Sequence, residues 1–130
     1  MSYKSAEQYK SLDLHTRVAA ANPHQLIQML YEGAIERLVV ARAAMGRDDL
    51  ATKGVMLGKA ISILSGLRES LDKEVDSELP DTLDRLYEYM QFRLLEANRH
   101  NDSAMIDEVL ELIRTVKSGW DGIADKASVG

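Results

Sequence analysis

Cysteine is missing from this 130-residue chain. Its absence excludes disulfide frameworks, thiolate nucleophiles and cysteine zinc sites, and it fits a reducing compartment. Proline occurs only at positions 23 and 80, so long stretches are free of helix breakers. The formal charge is −5 and no basic cluster stands out, so the electrostatic footprint of a nucleic-acid binder is lacking. No uninterrupted apolar run reaches the ~18 residues of a membrane span. The opening MSYKSAEQYKSLDLHTR has no apolar centre of a secretory signal, so a cytoplasmic protein is expected. Alternating β-branched runs are also missing, which argues against strands.

What remains is helical periodicity. Asn22 is placed to cap a helix with Pro23 at its first position, where the missing N–H costs nothing. Ile27, Leu30, Tyr31, Ala34, Leu38, Ala41 and Met45 then fall on one stripe, ending near Gly46. Asp48 or Asp49 caps a second helix running to about Asp72. The acidic segment KEVDSELP at 73–80 reads as a loop. A third helix starts at about Asp81 and buries Leu83, Leu86, Tyr87, Met90, Leu94 and Ala97. His100-Asn101-Asp102 turns the chain. A fourth helix carries Ile106, Val109, Leu110, Ile113, Val116 and Trp120 inward, with fraying expected at Gly119 and Gly122. The expected fold is all-α: an antiparallel four-helix bundle over 22–124 with a short N-terminal helical arm over 1–21, all in one domain. The arm has few anchors, Tyr9, Leu12 and Val18 among them, and isolated helices this short are marginal.

The second helix is anomalous. Between 54 and 67 it reads GVMLGKAISILSGL, with Lys59 the sole charge. Leu50, Leu57, Ile61, Leu64 and Leu71 form one stripe, while Gly54, Gly58, Ser62 and Gly66 follow at i+4 on another side. A helix uncharged nearly all round is normally buried on all sides, and a four-helix bundle has no central position for it. Each glycine costs about 1 kcal/mol relative to alanine in a helix. Two explanations stand: close packing inside the bundle, or a groove admitting a foreign helix. The groove reading places the contact at Leu50, Gly54, Leu57, Gly58 and Ile61, with Tyr87 and Met90 as the opposite wall. Tyr89 and Phe92 lie on another face of the third helix. The Gly54–Gly58 spacing resembles a membrane dimerisation motif, but Lys53 and Lys59 flank it and membrane insertion is not expected.

Reactive constellations are not found. Glu96 and His100 are the best metal candidates, yet di-iron bundles use paired Glu-x-x-His motifs and the chain has none. Of the histidines, His15 lies in the arm and His24 and His100 lie near helix ends, none placed like a mid-helix phosphoryl acceptor. No catalytic residue, metal or cofactor is expected.

Several blocks resemble the flagellin-specific flagellar export chaperone family, FliS: Tyr9, ANPHQLIQMLYEGAIERL at 21–38, KAISILSGLRESLD at 59–72, LYEYMQFRLLEAN at 86–98, and Trp120 after EVLELI. They cover nearly the whole chain, in order. The resemblance implies a non-enzymatic cytoplasmic chaperone of flagellar type III secretion. It would bind the disordered C-terminal region of flagellin, block premature polymerisation and present the client to the export gate. The alternative is a structural bundle that covers its uncharged helix by self-association; the free protein is expected to be a monomer or weak homodimer.

Overall fold

A computed structural model describes residues 21–129, with side chains described through Ile123. Four helices follow one another: α1 (Pro23–Gly46), α2 (Leu50–Glu69), α3 (Leu79–His100) and α4 (Ser103–Val129). The all-α bundle expected from the periodicity is the fold.

The ends are set by local chemistry. Asn22 and Gln25 form a reciprocal capping box: the Gln25 N–H donates to Asn22 Oδ1 at 2.8 Å, and the Asn22 N–H donates to Gln25 Oε1 at 3.0 Å. Asp49, not Asp48, caps α2 by accepting from the Thr52 N–H; Asp48 takes the left-handed conformation that turns the chain, at φ 58°. α3 begins two residues before the expected Asp81, because Pro80 is tolerated in the first turn. Asn101 ends α3 at φ 52°, a conformation asparagine accepts more readily than most residues. α4 continues through Gly119 and Gly122, where fraying was expected. Lys117 pairs with Asp121 across that turn at 2.6 Å, and Trp120 is tied to α1, so the glycines sit in a turn held from both sides.

Each helix packs against two neighbours, in the ring α1–α2–α3–α4. The core is built from Leu38, Leu57, Leu64, Leu67, Met90, Leu94, Ile106 and Ile113. α1 and α2 have the most extensive contact. Fully buried Ala34, Ala41 and Ala44 of α1 and Ala60 of α2 keep side-chain bulk small there. The other three seams carry ion pairs: Arg68 with Asp84 and Glu88 between α2 and α3, Arg93 with Glu108 between α3 and α4, and Arg42 with Asp107 between α4 and α1. Among the described residues the α1–α2 seam has none.

The inner stripe of α2 is Lys53, Leu57, Ala60, Leu64 and Leu67. Lys53 is buried, with Nζ donating to the Asn98 carbonyl at 3.2 Å and to Asn101 Oδ1 at 3.0 Å. By length and composition α2 qualifies as a membrane span. In the bundle, however, it spends Lys53 and Arg68 on hydrogen bonds to α3 and its C-terminal turn.

Candidate functional site

The outer face of α2 is smooth and apolar. A cleft of about 550 Å³ runs over it, formed by Gly54, Val55, Gly58, Lys59 and Ile63 and bounded by Arg37 of α1. A methyl group added at Gly54, Gly58 or Gly66 would meet nothing within 4 Å. Close packing inside the described bundle therefore does not explain these glycines. Gly33 of α1 differs, since a Cβ there would lie 3.4 Å from Ile63. The nearest cations are Arg37, which donates to the Gly33 carbonyl at 3.1 Å, and Lys59, which makes no ion pair among the described residues.

The residues expected to line a groove divide into two groups. Leu50 is 60% exposed, Gly58 is exposed, and Gly54 and Ile61 are partly so. Leu57, Tyr87 and Met90 are 1%, 2% and 0% exposed, so they belong to the core and cannot wall an open groove. The stripe that points inward is centred on Lys53, Leu57 and Ala60, which moves Leu50 out and leaves α1, not α3, beside the cleft. Arg37, Val55 and Ile63 were missed. Their signal was the geometry around the glycine row: Val55 follows Gly54 directly, and Gly33 and Arg37 stand one turn apart on α1. Tyr9, Leu12 and Val18 lie outside the described residues. On α3, Phe92 is 56% exposed, whereas Tyr89 donates to Glu108 at 2.5 Å.

A second cavity, of about 340 Å³, opens at the end of the bundle where α1 and α3 begin and α2 and α4 end. Ile27, Leu71, Val75, Leu79, Leu83 and Trp120 line it, and Tyr31 and Tyr87 form its floor. The two phenols meet at 2.6 Å. Burial pushes both pKa values up. Trp120 stacks on His24 with ring centroids 4.4 Å apart and donates from Nε1 to the His24 carbonyl at 3.0 Å.

Several charged groups form ion pairs between helices, among them Arg68 with Asp84, Arg93 with Glu108 and Arg42 with Asp107. Asp84, between Arg68 and Lys73, is held down from 3.8 to about 2 by their hydrogen bonds and charges. His100 Nε2 lies 3.0 Å from Glu96 Oε2, one turn back on α3. Among the described residues no three potential ligands gather. The arrangement offers two recesses, one over the outer face of α2 and one at the bundle end.

The described chain is a four-helix bundle with two surface recesses. The family model for flagellar protein FliS matches residues 5–127. The flagellar secretion chaperone FliSB of Pseudomonas aeruginosa is 53% identical over 121 residues, covering 93% of this chain and 96% of that protein. The flagellar secretion chaperone FliS of Vibrio cholerae is 42% identical over 119 residues, covering 92% of this chain and 88% of that one. A crystal structure of a bacterial flagellar chaperone has the same fold, with a TM-score of 0.75 at 17% identity over 93% of this chain and 98% of that chain. The chain belongs to the FliS family of flagellar secretion chaperones.

Proposed function

We propose that the protein is a cytoplasmic chaperone that holds the C-terminal segment of flagellin before export, blocks its premature polymerisation and brings it to the export gate. One observation carries this reading: the open glycine row on the outer face of α2. Glycine destabilises a helix by about 1 kcal/mol relative to alanine. Three are kept where no described part of the chain needs the space. A client helix needs it, because only a surface without Cβ atoms lets a second backbone approach closely. The apolar α1–α2 seam beside the row would cover a client's apolar stripe without ATP, by mass action.

In the free protein we assign the cover of α2 to the N-terminal arm through Tyr9, Leu12 and Val18, displaced when flagellin binds. The test is calorimetry and sedimentation of the full chain with a flagellin C-terminal segment. A one-to-one complex is expected, with negative ΔCp and more helix by circular dichroism than the sum of the parts. No complex, with self-association of the chaperone alone, would overturn the reading in favour of a structural bundle.

A further inference from the structure

The floor of the end cavity leaves one hydrogen-bond donor unspent. Tyr31 and Tyr87 are each 2% exposed and share one hydrogen bond. Two hydroxyls carry two protons, and one bond between them uses one. Whichever phenol donates, the other keeps an O–H to place. Among the described residues neither hydroxyl has a second partner. The nearby carboxylate, Asp121, accepts instead from Gln28 Nε2 at 2.7 Å and from Lys117 Nζ at 2.6 Å. A buried donor without an acceptor is costly, and buried polar groups are almost always paired. The walls above it are apolar, and Val75 and Leu79 stand exposed at the mouth.

The position of the cavity narrows the choice of occupant. The small-residue row Gly54, Gly58, Ser62, Gly66 reaches Ser70 at the next i+4 step, and Ser70 lines the cavity. Helix C-terminal turns bear backbone carbonyls without intrahelical partners. They also favour lysine and arginine, and the loop at the mouth carries Asp72, Glu74, Asp76 and Glu78 against one lysine, Lys73, which is bonded to Asp84.

We infer that the end cavity receives the C-terminal turn of a client helix: an apolar side chain fills it, a free carbonyl of that turn accepts the remaining phenol proton, and a neighbouring basic residue faces the acidic loop. This rests on the proposed binding of flagellin and names the part of the client that is read at the bundle end.

The test uses the full chain and a flagellin C-terminal segment in calorimetry. Tyr31→Phe and Tyr87→Phe each leave one hydroxyl whose proton is free for the client, so each single variant should bind as well as the parent or better. The double variant loses the donor and should bind about three- to tenfold more weakly. Single variants that each weaken binding as much as the double would indicate a merely structural pair and overturn the inference. Leu79→Glu, at an exposed position, should lower affinity at least tenfold without unfolding the bundle. An alanine scan of the segment should find one apolar residue beside a lysine or arginine whose loss matters against the parent but not against Leu79→Glu.

If flagellin binds the parent, the double variant and Leu79→Glu equally, the cavity assignment falls while the chaperone reading stands. If the parent binds no flagellin, the chaperone reading itself falls. A Leu79→Glu effect confined to self-association would assign the cavity to a second copy. One that disappears in a Tyr9→Ala, Leu12→Ala, Val18→Ala background would assign it to the chain's own N-terminus. Either result overturns the inference.

Discussion

Lys53 Nζ and Asn101 Oδ1 are 3.0 Å apart, and through them the first turn of α2 closes the end of α3. The same ammonium reaches the Asn98 carbonyl, one of those left unpaired at a helix C-terminus. Lys53→Met keeps the stem's volume but removes both donors. It should destabilise the bundle by about 1–3 kcal/mol, the range for hydrogen bonds to a charged group. Urea denaturation measures it, and an unchanged midpoint would show that the buried ammonium contributes nothing net.

Glycine 58 separates fold from function. Its Cβ position is open, so Gly58→Ala should stabilise the free protein by up to about 1 kcal/mol. Gly58→Leu should leave the bundle folded and weaken flagellin binding, since a branched side chain would hold a client backbone away. Thermal melts and calorimetry on both variants give the answer. Unchanged binding by the leucine variant would remove the glycine row from the client contact.

Much of this was legible in the sequence because helix signals are local. Asn22-Pro23 at the start of α1, Asp49 before α2 and Asn101 after α3 each act within a few residues. The inner stripes of α3 and α4 are strongly amphipathic and were read correctly. α2 was harder for the same reason that it is informative: apolar on several sides, it gives no clear phase, and a stripe drawn through Leu50 instead of Lys53 swings the expected groove onto core residues. Lys53 itself was unreadable, because its partners are 45 and 48 positions away. The end cavity was also invisible, since Tyr31 and Tyr87 meet only once α1 and α3 stand at opposite corners of the ring.

Acid should loosen the α2–α3 corner. Asp84 titrates at about 2 in the fold against 3.8 unperturbed, through Arg68 and Lys73. A depressed carboxylate contributes stability that is complete above the unfolded value and lost as pH falls through the folded one. Stability should therefore decline between about pH 4 and pH 2. Asp84→Asn should be less stable than the parent at pH 7 and flatter over that acid window. Equal acid slopes in denaturant titrations of the two proteins would show that other carboxylates govern the limb.

Trp120 is the single tryptophan, and it joins the last described turns of α4 to the first turn of α1. Its indole N–H holds the His24 carbonyl while its ring covers the imidazole. Trp120→Phe would retain an apolar wall in the end cavity but lose the donor and part of the stack. A cost of roughly 1–2 kcal/mol is expected from one hydrogen bond and one aromatic contact. That loss should be felt locally, because among the described residues α4 beyond Lys117 is tied to α1 by hydrogen bonds only through this residue and the Gln28–Asp121 bond. Hydrogen exchange should thus accelerate from Lys117 onward while the amides around Ile106 and Ile113 stay protected. Uniform acceleration along all of α4 would mean that the indole supports the whole bundle rather than its end.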